Sequence, residues 1–307
     1  MKYKLPITFL LILFSITSNA EILLSDSFES KDMSAPNNQP DSTNLINFNW
    51  ERNNRTSIVG MDPESVAVYN NKTIYNVQPG NDWNAIDGQY SLRFRYTVGE
   101  PMAEQRFNFS PQRDIWLSYW IRVPINYQHG SGGGSATNNK FLALWTDGYS
   151  QSGQGSTFWL SLENAGGGNS YLAFTNTLGY GNASQGMQQH IAFINAATDK
   201  GKWMQMVVHL VAETSDGASD GIVQTWRRWE NESNFTQLHD ANNRQLRIPS
   251  NGPAGFSAGY LMGWANGTYD EITEWLIDDV TIANTSLLTV TSKAPANPPP
   301  AFDAKEN

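Results

Sequence analysis

Residues 202–230, KWMQMVVHLVAETSDGASDGIVQTWRRWE, constrain the fold more than any other stretch of the chain. Met204, Met206, Val208 and Leu210 alternate there with Trp203, Gln205, Val207 and His209. Successive side chains of a strand point to opposite faces, so one face is wholly apolar while the other mixes an indole, an amide and an imidazole. The connection SDGASDG is rich in residues that tolerate positive φ and form local turns. The second strand, GIVQTWRRWE, sets Gln224, Trp226 and Arg228 on one face. A sheet of this kind buries its oily side and offers the other to a polar, ring-shaped partner. The alternative is an ordinary solvated outer face.

The same alternation recurs along the chain. Residues 21–30 read as a first strand. Residues 48–59, FNWERNNRTSIV, read as a strand pair turning at Asn53 and Asn54. In residues 90–98, Leu92, Phe94 and Tyr96 oppose Ser91, Arg93 and Arg95. Residues 114–123 form a strand stopped by Pro124. Residues 140–145 form a short buried strand, and 156–162 with 170–177 form a hairpin around NAGGGN. Residues 256–264 and 274–283 are the closing strands, and a short helix is expected near 188–197. Many strands with almost no amphipathic helix predict an all-β sandwich of two antiparallel sheets, in a jelly roll.

The first twenty residues carry Lys2 and Lys4, then an apolar run, then Ser18-Asn19-Ala20. That pattern predicts a secretory signal peptide over 1–20 and no membrane insertion. The folded domain is expected over 21–291, with a disordered Pro-rich tail over 292–307. The chain has no cysteine, so core packing must replace disulfides. Its formal charge is −9 and it has no basic cluster, which excludes nucleic acid as a partner. Eleven Trp and 25 Gly suit a secreted or periplasmic β protein, expected to be a monomer, with aromatic binding surfaces.

The order DSFES, SLRFRY, LSYWIRVP, KFLALW, GKWMQMVVHL, DGIVQTWRRW, WLIDDVTIA resembles the concanavalin A-like lectin/glucanase superfamily. Within it, the chain is most similar to the jelly-roll polysaccharide lyases of the alginate, glucuronan and heparin lyase type. The resemblance implies a concave sheet that binds a sugar chain. Lys140-Phe141-Leu142-Ala143 stands where such lyases often have Lys-Leu-Pro-Gly. Their Ser-x-Arg strand corresponds to STFWLSL, without the Arg. Their Tyr-x-Tyr strand corresponds to SYLAF, with Tyr171 first and Ala173 in the second place. The resemblance also implies a structural Ca2+ on the convex side, matched by Glu29 and Asp279. No organic cofactor is expected.

Eliminative cleavage of a uronate polymer needs a group that neutralises the carboxylate, a base for the proton beside it, and an acid for the leaving oxygen. The residues that fit are His209 as base, Tyr171 as acid, and Arg93 with Gln205 or Lys140 on the carboxylate. Trp145, Trp226 and Trp264 are candidates for stacking on sugar rings, with Gln224 and Arg228 as further glycan contacts. Hydrolysis would need two carboxylates across a groove, whereas Glu271 and Glu274 fall on opposite faces of a strand. The leading expectation is therefore a polysaccharide lyase acting on an anionic glycan. The alternatives are a lectin-like binding protein on the same fold and an adhesive surface protein.

Overall fold

The computed structural model describes residues 21–31, 40, 42–61, 82–131, 138–149, 154–179, 184–250 and 252–288. The expected leader (1–20), the tail (292–307) and loop residues 132–137 lie outside them. Among the described residues the ordered elements are all strands. They begin with β1 (Ile22–Asp26), β2 (Asn49–Asn54), β3 (Thr56–Gly60), β4 (Tyr90–Tyr96) and β5 (Met102–Gln112). β6 (Asp114–Arg122), β7 (Asn139–Trp145), β8 (Thr157–Gly166), β9 (Asn169–Thr177) and β10 (Ser184–Ile194) follow. The chain ends with β11 (Trp203–Val211), β12 (Gly221–Trp229), β13 (Thr236–Arg244), β14 (Phe256–Trp264) and β15 (Thr273–Ala283). No helix among the described residues is long and apolar enough to cross a membrane.

The first sheet runs β13-β12-β11-β6-β15-β4-β3, with β1 also paired to β15. The second runs β10-β9-β8-β7-β14-β5-β2. Neighbours within each sheet are antiparallel. The two sheets share one core. Met204, Met206, Val208 and Leu210 of β11 and Leu117, Tyr119 and Ile121 of β6 lie in it with Leu142 and Leu144 of β7, Phe158 and Leu160 of β8, and Leu172 of β9. The period-two reading of residues 203–211 is thus realised, with its oily face inward. At one end of the core Phe48 meets Trp50 edge-on at 4.8 Å and stacks on Phe107 at 5.4 Å. Trp50 Nε1 donates to Asp26 Oδ2 at 2.6 Å, tying the second sheet to the first. With no disulfide, contacts of this kind carry the stability. Truncating one such buried ring costs about 3–5 kcal/mol.

Two local expectations need correction. Residues 48–59 do not fold back on themselves. The chain turns at Arg55, φ 54°, and leaves one sheet for the other. β2 pairs with β5, Trp50 opposite Phe107, and β3 pairs with β4, Thr56 opposite Phe94. Residues 188–197 do not form the expected helix either. Residues 188–194 instead complete β10, whose irregular register runs along the edge of β9, and the chain turns after Ile194. The free hydrogen-bonding edge of β9 outweighs the weak helical preference of a Gln- and Ala-containing segment.

Candidate functional site

The second sheet turns Lys140, Tyr171 and their neighbours outward. In β8, Phe158, Leu160 and Leu162 enter the core, so Trp159, Ser161 and Glu163 face out. A register shift between Lys140 and Leu142 lets Phe141, Leu142 and Leu144 all enter the core while Lys140 stays outside. The pairing then sets Lys140 opposite Ser161, Ser161 opposite Ala173, and Glu163 opposite Tyr171. Lys140 and Tyr171 therefore stand on either side of β8, with Ser161 and Glu163 between them. Lys140 Nζ lies 4.9 Å from the centre of the Trp159 ring. The Tyr171 ring lies along His190 of β10, centroids 5.8 Å apart.

The electrostatics of this face are unbalanced. Lys140 and Tyr171 make no side-chain hydrogen bond or ion pair among the described residues. Glu163 Oε1 is buried without a hydrogen-bond partner. Burial pushes the Lys140 ammonium below the usual lysine range, and the Glu163 charge partly restores it. Burial pushes the Glu163 carboxyl up, and Lys140 and His190 pull it back. The two groups are thus coupled without a closed salt bridge. A lysine lowered in this way gives up its proton more readily, as a general base must.

The expected aromatic contacts divide. Trp145 is on this sheet but only 7% exposed, closed in by Tyr149 and Tyr260 at 5.4 and 6.0 Å. Trp264, at the end of β14, is 47% exposed and free to meet a sugar ring. Trp226 is 8% exposed and belongs to the first sheet, on the far side of the core.

The outer face of the first sheet carries the rest of the expected constellation. His209 stacks on Trp116 at 4.0 Å and 12°, and Trp116 on Trp226 at 5.5 Å. His209 Nδ1 faces Gln224 Oε1 and its Nε2 faces Asp114 Oδ1, both at 2.9 Å. Gln224 Nε2 donates to Asp240, which fixes its oxygen toward the imidazole. Both ring nitrogens are therefore engaged. Arg228 Nε donates to Gln205 Oε1 at 2.7 Å, and Gln205 Nε2 donates to Ser118. Arg93 is 1% exposed, bonded to Glu274 at 3.3 Å and lying over Trp83. Loop residues Trp83 and Ile86 cover this region in a small outer core with Trp120, Trp203 and Leu276. Asp278 anchors that loop by accepting from the amides of Ile86 and Asp87, and burial pushes its carboxyl well up.

The single groove expected from the sequence is corrected accordingly. His209, Gln205, Arg93, Gln224, Trp226 and Arg228 face away from Lys140 and Tyr171, with the core between them. Parity assigned each side chain to the outside of its own sheet. It could not say that the strands belong to different sheets. Glu163, Trp159 and His190 went unread. Alternation continued past Leu162 would have exposed Glu163, whereas the helical reading of residues 188–197 concealed His190.

Glu29 and Asp279 are the residues expected to hold a structural Ca2+. Glu29 Oε1 accepts from the amides of Gln89 and Tyr90 at 2.8 and 2.9 Å. Asp279 has a positive φ at the irregular turn within β15. No three His, Cys, Asp or Glu side chains converge as metal ligands among the described residues.

No family model and no curated protein matches the chain. Solved structures similar to it include the marine PL-14 alginate lyase from Aplysia kurodai, with a TM-score of 0.46 and 15% identity over 64% of this chain and 83% of that one. Alginate lyase vAL-1 from Chlorella virus gives 0.44 and 10% over 66% and 87%. The cellulose induced protein Cip1 gives 0.40 and 14% over 85% and 97%. At these identities the likeness transfers no residue role to this chain. The two-sheet antiparallel sandwich rests on the strand pairings themselves.

Proposed function

We propose that this protein is a secreted polysaccharide lyase that cleaves a uronate-containing glycan by β-elimination on the outer face of the second sheet. One observation supports it above others: Lys140 and Tyr171 flank Glu163 on one open face, neither of them engaged by another side chain in a hydrogen bond or ion pair. Lys140, held below its usual range by burial, takes the proton from the carbon beside the uronate carboxylate. The electron pair forms the new carbon–carbon double bond as the bond to the bridging oxygen breaks. The Tyr171 hydroxyl gives its proton to that oxygen. His190, beside the Tyr171 ring, donates to the substrate carboxylate. Glu163 tunes Lys140, and the burial that raises its carboxyl lessens repulsion of an anionic chain. Trp264 offers a ring face to a neighbouring sugar. Secretion rests on the leader at residues 1–20.

A non-catalytic glycan-binding protein is the second reading. It is favoured by Ala173, which puts a methyl group opposite Ser161 in the middle of the face. The test is incubation with alginate, glucuronan, polygalacturonate and heparin, following the absorbance of unsaturated sugar ends. Production of such ends from a uronate polymer is expected. Retention of a glycan with no unsaturated ends from any of the four would put the second reading in place of the first.

A further inference from the structure

A cavity of about 370 Å³ opens beside Tyr171, lined among others by Ala192, Phe193, Asn195, Asp199 and Arg227. Its size falls within the rough range of small-ligand pockets, about 300–1,000 Å³. Arg227 reaches it from the other sheet. On β12, Val223 points into the core, and Arg227, four residues on, shares its parity. Near the edge of the sandwich its side chain meets β10, where Nη1 donates to the Phe193 carbonyl at 2.6 Å. The guanidinium lies over the Trp229 ring at 4.7 Å and the Phe193 ring at 5.5 Å.

Arg227 is only thinly compensated. It makes one hydrogen bond and no ion pair among the described residues, and its Nε is buried without a partner. The carboxylate in the same cavity, Asp199, is engaged elsewhere: it accepts from the Asn195 amide at 2.9 Å and lies 3.6 Å from Lys202. Burial weighs against the charged guanidinium, and the nearby Glu232 and Asp199 offset it in part. A desolvated arginine in an open cavity is a receptor for an anion, and its planar fork matches a carboxylate.

We infer that Arg227 anchors a carboxylate of the glycan, seating a uronosyl unit in the cavity next to Tyr171. The inference rests on the lyase reading for the nature of the chain, but it concerns recognition and not bond cleavage. The cavity is continuous with Tyr171, so a unit held there is adjacent to the leaving oxygen that Tyr171 protonates. Arg227 is thus a specificity residue that selects charged over neutral sugars.

The experiment measures binding of tetrasaccharides of alginate, glucuronan and polygalacturonate, each beside its counterpart with carboxyls reduced to alcohols. The parent should prefer at least one uronate form over its reduced form by about ten- to a hundredfold, the scale of one charge-assisted contact. Arg227→Gln should abolish that preference and leave the reduced form bound within about twofold. Arg227→Lys should restore part of it, and thermal melting of each variant separates lost contact from lost fold. A parent without preference, or an Arg227→Gln variant that keeps it, overturns the inference. Formation of unsaturated ends is read separately on the same samples, so failure of the lyase reading shows as binding without cleavage.

Discussion

The two outer faces of the sandwich are built from similar residues and do opposite things with them. The first sheet presents Trp116, Trp120, Trp203, His209, Arg93 and Arg228, and its charged groups are joined in ion pairs or hydrogen bonds, although Arg93 Nε and the Ser57 and Ser91 hydroxyls are buried without a hydrogen-bond partner. Arg93 and Arg95 hold Glu274, Arg122 holds Asp82 at 2.5 Å, and His209 lies between Asp114 and Gln224. The second sheet also closes one ion pair, Arg106 with Glu104 at 2.6 Å, but leaves Lys140 and Glu163 desolvated and not joined, beside Tyr171. A desolvated charge without a partner costs stability, and a protein that keeps two of them beside one tyrosine has a use for them. Aromatic and cationic richness alone therefore does not mark a site. The lack of internal compensation does.

That contrast predicts opposite stability effects. Breaking the first face should cost most. Arg93→Ala leaves Glu274 with Arg95 and the Trp83 indole N–H and empties a filled site beneath Trp83, so denaturant unfolding should show a loss of about 3–5 kcal/mol. His209→Ala removes a ring stack and two hydrogen bonds, for a loss of about 1–2 kcal/mol by the same measurement. On the second face, Lys140→Met removes a desolvated ammonium while keeping its stem over Trp159. It should leave stability unchanged or raise it by about 1 kcal/mol. A loss as large as that of Arg93→Ala would erase the distinction between the faces.

A finer test uses the coupling within the second face. The Glu163 carboxylate raises the pKa of Lys140 against the larger, opposite effect of burial. Glu163→Gln removes that charge, so the Lys140 pKa falls further and its neutral, basic form persists to lower pH. The rising limb of the pH–rate profile should move toward acid. A limb that stays in place or moves toward alkali would dissociate Lys140 from the base role. The smallest effect concerns metal. A chelator should leave the melting temperature unchanged, because Glu29 Oε1 already accepts from the Gln89 and Tyr90 amides. A fall reversed by added Ca2+ would restore the calcium expectation at Glu29 and Asp279.

Much of this molecule could be read without coordinates, and the reason is strand parity. The faces of β11, β12 and β4, the hairpin of β8 and β9 around Gly166–Gly168, and the two-sheet class all follow from side chains alternating along strands. What parity does not encode is which strands share a sheet. His209 and Lys140 both point outward, yet β11 pairs with β6 and β12 while β7 pairs with β8 and β14. The exchange of sheets at Arg55 and the bulged course of β10 are likewise set by vacant sheet edges. The candidate site was half legible for this reason: Lys140 and Tyr171 stood out, while His190 became a neighbour of Tyr171 only through the β9–β10 pairing.

The most direct measurement compares Lys140→Ala with His209→Ala as catalysts on whichever uronate polymer the parent cleaves, following unsaturated ends. Lys140→Ala should lower kcat/KM by about 10²–10⁴-fold, the usual contribution of a positioned acid or base, while His209→Ala stays within about threefold of the parent at a temperature where it is folded. The reverse, with His209→Ala inactive and Lys140→Ala unimpaired, would place the chemistry on the first sheet and contradict this account.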